Sequence, residues 1–117
     1  MEITAAEWAQ FLEDKPEIHI LQSLEWGELK RNYGWHPVYV VEGDTGAQIL
    51  FRSLPLGLTI AYIPKGPVGI PDCHFWKSVD AVCRKHHAIF LKVEPDSWEC
   101  KSEGWWEDAS EEWVTSD

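Results

Sequence analysis

Three apolar runs divided by turn sequences constrain this chain more than anything else in it. Val38-Tyr39-Val40-Val41 is β-branched and aromatic, which suits a pleated, half-buried surface. Gly43-Asp44-Thr45-Gly46 then supplies residues that tolerate tight turns, and Ala47 to Leu54 alternates as a second strand. Two such runs around a short glycine-containing turn predict a hairpin. Pro55-Leu56-Gly57 is another turn, and Leu58 to Ile63 reads as a third strand. Three meandering strands are already most of a sheet, and a sheet must bury at least one face.

The remaining segments supply the cover. Thr4-Ala5-Ala6-Glu7 is a capping box, in which hydroxyl and carboxylate satisfy free amides at a helix start. Trp8, Phe11 and Leu12 follow on one helical face, and Pro16 closes the helix. Ile18 to Leu21 is a candidate short strand. Ser23 caps a second predicted helix with Trp26, Leu29 and Tyr33 on one face, and Gly34 stops it. Core packing is the default for Trp26. Pro64-Lys65-Gly66-Pro67-Val68-Gly69, with two prolines and two glycines, predicts an irregular loop. Asp72 caps a third helix with Phe75, Val79, Val82 and Cys83 on one side. Ala88 to Val93, apolar apart from Lys92, predicts a strand inside the sheet. The fold class is therefore α/β in the α+β sense: a mixed sheet with flanking helices.

The 117 residues suit one small domain, and 44% hydrophobic residues exclude a disordered chain. The net charge of −10 argues against general nucleic-acid binding by this piece. Residues 99–117 hold seven acids and one base, a net of −6, leaving −4 to the first 98. Residues 97–117 are read as an acidic, Trp-rich tail, partly disordered or weakly helical. No apolar run approaches the ~20 residues that span a bilayer, and the start lacks the features of a signal peptide. Three cysteines without framework spacing fit a reduced, cytoplasmic setting. Cys83, His86 and His87, with Cys73-His74 nearby, imitate zinc ligands, but their spacing matches no standard finger. Buried cysteine and surface histidine are the reading adopted, with no metal and no cofactor.

Four stretches together resemble a known family: HILQSLEWGELKRNYGW (19–35), AQILFRSLP (47–55), AYIPKGPV (61–68) and AIFLKVEPD (88–96). They are similar to the Fem family of peptidoglycan aminoacyltransferases. Those enzymes add amino acids from aminoacyl-tRNA to the peptide stem of peptidoglycan precursors. The resemblance covers roughly residues 3–96, taken as one amino-terminal subdomain, and implies the first half of a GNAT-like acyltransferase domain. Family members run well beyond this length, so the expectation is a gene fragment, a remnant or one piece of a split enzyme.

The resemblance also implies site residues. Lys30 matches a family lysine that binds the precursor's phosphates; the alternative is a solvated lysine near Glu25, Glu28 and Arg31. Tyr62, just before the Gly-Pro loop, matches a substrate-contacting tyrosine, against ordinary burial in an alternating strand. The loop after it is read as a turn shaping the substrate cleft, with Lys65 as an anion contact. The acyl-CoA pattern of GNAT domains is absent there. Glu94 matches a cleft acid, as a positioning group or base, against a strand-end acid bonded to backbone amides. Trp35 either edges a substrate groove or seals the helix to the sheet.

The implied partners are a UDP-MurNAc-peptide or lipid-linked precursor, and aminoacyl-tRNA bound mostly through sequence missing here. A homodimer or a complementary chain is a further expectation, because missing strands would expose a sheet edge. Two other functions stand beside this one: a GNAT-like N-acyltransferase with another acyl donor, and a truncated, non-catalytic binding module.

Overall fold

A computed structural model of the chain describes residues 1–15, 17–95 and 113–115. Its strands are β1 (Glu2–Ile3), β2 (Trp35–Glu42), β3 (Thr45–Ser53), β4 (Thr59–Pro64), β5 (Ala88–Glu94) and β6 (Trp113–Thr115). Its α-helices are α1 (Ala5–Leu12), α2 (Leu24–Arg31) and α3 (Cys73–Lys85). The strands lie in the sheet in chain order, β1 to β6. β1 to β4 pair antiparallel in succession, β4 and β5 pair parallel, and β6 returns antiparallel on β5. The expected mixed sheet with flanking helices is the fold observed. Parallel neighbours need a long crossover, and α3 is that crossover.

The hairpin turns at Gly43-Asp44, with Gly43 at φ 63°, a conformation that costs glycine little. Thr4 and Glu7 form the reciprocal capping box of α1, and Asp72 caps α3 by accepting from the Phe75 amide at 2.9 Å. Gly34, at φ 91°, ends the segment that follows α2. One face of the sheet packs on α3. Val38, Val40, Ile49, Phe51, Ala61 and Ile63 meet Phe75, Val79, Val82 and Cys83 there. Each large side chain buried in this layer stabilises by roughly 1.5–3 kcal/mol before entropy is counted.

The opposite face is covered differently. Trp8 of α1 is fully buried, stacks on Tyr39 of β2 at 5.6 Å and donates from Nε1 to the Gln22 carbonyl. Ile18 to Leu21, a candidate strand from the sequence, is not one; Ile20–Gln22 form a 3-10 turn there. His19 caps it, and the Gln22 side chain enters the sheet. Gln22 Oε1 accepts from the Gln48 amide at 2.8 Å, while its Nε2 donates to the Pro64 carbonyl at 2.7 Å and the Gln48 carbonyl at 3.3 Å.

α2 meets this face with Gly27, not with the apolar stripe the sequence offered. A Cβ on Gly27 would stand 1.8 Å from Gln48 Oε1 and 3.3 Å from Pro37 Cβ, so only glycine permits that approach. Leu29 and Tyr33 are left 45% and 65% exposed, and Trp26 is half-buried. The Trp26–Leu29–Tyr33 face is therefore a surface feature, which corrects the core role expected of Trp26.

The Lys65–Gly69 loop docks onto the hairpin. Val68 and Gly46 exchange backbone hydrogen bonds of 2.7 and 2.9 Å, and Thr45 Oγ1 donates to the Ile70 carbonyl at 2.9 Å. Of the expected tail, residues 113–115 form β6; residues 97–112, 116 and 117 lie outside the described residues.

Candidate functional site

Beyond α2 the sheet carries a strip of polar and aromatic side chains on the face opposite α3. Strand register creates it. Counting outward from the Gly43-Asp44 turn sets Trp35 opposite Arg52, and Arg52 in turn pairs with Ile60. Tyr62, two residues further along β4, lies across from Lys92, and Pro64 from Glu94. Alternation puts Trp35, Arg52, Tyr62 and Glu94 on one side, because residues two apart in a strand share a face.

The contacts join them. Tyr62 donates its hydroxyl to Glu94 Oε1 at 2.8 Å. The Trp35 and Tyr62 rings lie 6.4 Å apart at 51°, and the Arg52 guanidinium stands 5.4 Å from the Trp35 ring centroid, within cation–π range. Trp35, Tyr62 and Glu94 are half-buried and Arg52 is exposed. Burial raises the Tyr62 pKa far above its ordinary value, and the Glu94 hydrogen bond and charge add to the shift. The phenol therefore stays protonated at neutral pH and acts as a fixed donor to Glu94. A carboxylate accepts through two oxygens, so Glu94 Oε2 remains to receive a proton or hydrogen bond from a ligand.

Three of the five site residues read from the sequence, Trp35, Tyr62 and Glu94, thus come together. Lys30 is not in this group of contacts: its ammonium lies 5.3 Å from the Trp26 ring on α2. Lys65 begins the docked loop with φ 52°. Arg52 was not among the residues the sequence pointed to, although the hairpin register alone pairs it with Trp35. Cys83 is buried on α3, where desolvation pushes its thiol up to about 12, so it is inert as a nucleophile or ligand. His86 is not the surface residue expected: it is half-buried against Phe51, 4.8 Å between rings.

A model of the FemAB family matches residues 3–112. The chain belongs to the FemAB family. A lipid II:glycine glycyltransferase of Staphylococcus haemolyticus (strain JCSC1435) is 35% identical over 107 residues, covering 82% of this chain and 26% of the relative. One from Staphylococcus aureus (strain MRSA252) is 29% identical over 109 residues, covering 82% and 25%. The crystal structure of FemX superposes with a TM-score of 0.61 at 26% identity, over 89% of this chain and 31% of FemX. The chain thus spans about a quarter of the length of these curated FemAB-family relatives.

Proposed function

We propose that this chain supplies the precursor-binding half-site of an aminoacyltransferase that builds peptidoglycan interpeptide bridges. The amino acid would pass from aminoacyl-tRNA to an amine of the precursor's stem peptide. The observation that carries this reading is the Tyr62–Glu94 pair on the sheet face opposite α3, in a chain whose relatives are named for glycyl transfer involving lipid II.

The chemistry asks little of the protein beyond placement. A neutral amine attacks the ester carbonyl of the aminoacyl donor, the C–N bond forms, the tRNA hydroxyl leaves and the amine gives up a proton. Glu94 Oε2 is suited to hold that amine and take its proton, and the Tyr62 hydroxyl fixes the orientation of the carboxylate. Trp35 provides an apolar wall beside them. Lys30, braced on Trp26, would pair with the precursor's phosphates, and Lys65 would add a second anion contact. The donor tRNA would bind through sequence outside this chain, consistent with the net charge of −10. The setting would be cytoplasmic; among the described residues no helix is long and apolar enough to cross a membrane.

The test is the dissociation constant for UDP-linked muropeptide in wild type and Lys30→Ala. One charge-assisted contact to phosphate is worth about tenfold in affinity, so the variant should bind about tenfold more weakly. An unchanged constant removes Lys30 from the phosphate site, and no binding by wild type removes the half-site altogether. A melting shift with muropeptide but no turnover with charged tRNA would mark the chain as a non-catalytic binding module. A shift with acyl-CoA would instead favour the N-acyltransferase reading.

A further inference from the structure

Arg52 stands apart from the other arginines of this acid-rich chain. Arg31 pairs with Glu28 and Arg84 with Asp80, each one helical turn away. Arg52 forms no ion pair among the described residues, although the chain holds 20 acids against 10 lysines and arginines. Its guanidinium rests instead on the Trp35 ring. A cation–π contact restrains the group and uses none of its five N–H donors. An arginine held this way, exposed and with no ion pair among the described residues, is suited to bidentate capture of a planar anion.

Its position gives the anion a distance from the Tyr62–Glu94 pair. Arg52 is opposite Ile60 and Glu94 is opposite Pro64, so the two are two strands apart across the sheet and four residues apart along it. With about 4.8 Å per strand and 3.3 Å per residue, their backbone positions are roughly 16 Å apart. An extended peptide covers that distance with about five residues. Between them the same face carries Tyr62 of β4 and, across from it, Lys92 of β5, while the Trp35 ring reaches to 6.4 Å from the Tyr62 ring from the far side of Arg52.

We infer that Arg52, braced on Trp35, anchors a carboxylate of a peptidyl ligand whose amine lies at Tyr62 and Glu94. This rests on the acceptor reading above and deepens it: this face would measure a peptide between a charged end and a reacting amine. Lys30, against Trp26 on α2, is left to the phosphates.

The test pairs two ligands with three proteins. UDP-linked muropeptide with a free terminal carboxylate, and the same molecule ending in a carboxamide, are titrated into wild type, Arg52→Ala and Arg52→Lys. Wild type should prefer the acid by about tenfold, the worth of one charge-assisted hydrogen-bond pair. Arg52→Ala should bind acid and amide alike, with amide affinity unchanged. Arg52→Lys, which keeps the charge but loses the fork, should retain only part of the preference. Discrimination that survives in Arg52→Ala would overturn the anchor and leave the acceptor reading intact. Equal weakening of both ligands would place Arg52 on another group, phosphates included, and overturn the carboxylate assignment. Failure of wild type to bind either ligand would overturn the acceptor reading and the anchor together.

Discussion

At the scale of single residues, the sequence displayed side-chain chemistry better than side-chain company. The strand-end positions of Tyr62 and Glu94 were legible because each ends a strand run beside a loop, whereas their candidate roles came from the family resemblance. Their mutual hydrogen bond was not legible, because it depends on the parallel register of β4 and β5. His86 shows the same limit. Its helix position was readable, but its neighbours come from three other elements: Phe51, His36 and Glu2. Burial lowers the His86 pKa; Glu2 opposes that shift, while Lys85, His36 and His87 add to it. The unfolded chain therefore binds a proton at His86 more readily than the folded one. Stability should fall as pH drops below the ordinary value of 6.5 and through the lower folded-state pKa. Thermal melts between pH 7.5 and 5.5 should show a flatter pH slope in His86→Gln than in wild type. Identical slopes would reject the assignment.

At the scale of elements, α1 and α3 were readable in full because caps and apolar stripes lie within a few residues of each other. α2 was not. Its stripe of Trp26, Leu29 and Tyr33 has helical spacing, yet the surface that meets the sheet is set by how closely the helix must approach Gln48. That requirement is tertiary and leaves only an unremarkable Gly27 in the sequence. Glycine to alanine in an open helix stabilises by about 1 kcal/mol. Gly27→Ala should do the reverse, because its Cβ would meet the Gln48 carboxamide, and overpacking of this kind costs about 1–3 kcal/mol. Chemical denaturation would show a lower midpoint; a raised one would mean that α2 is not seated as described. β1 was missed for a different reason: two residues that pair 36 or more positions away carry no local signature.

At the scale of the whole molecule, the sheet is unevenly finished at its margins. Among the described residues β1 pairs with β2 at Tyr39 and Val40, with Met1 and Val41 exchanging backbone hydrogen bonds beside them, and β6 pairs with β5 from Phe90 to Lys92. Long stretches of unpaired backbone invite another strand. The net charge of −10 opposes that association through repulsion, which salt screens. The chain should therefore associate with itself more strongly at high salt than at low salt. Light scattering that reports the mass of one chain at both salts would overturn this.

The Gln22 carboxamide has a consequence of its own. β3 and β4 are in register from Ser53–Thr59 to Leu50–Tyr62, and the next pair on this side would be Gln48 with Pro64. A proline cannot offer a donor there. The Gln22 side chain stands in the gap like a borrowed peptide unit, giving through one atom and receiving through the other. The width of the sheet at that point is thus spelled by the length of one side chain. Asparagine would be a methylene short, and glutamate could receive but not give. Glutamine alone completes the line of main-chain grammar that leads from the hairpin to the loop after Tyr62.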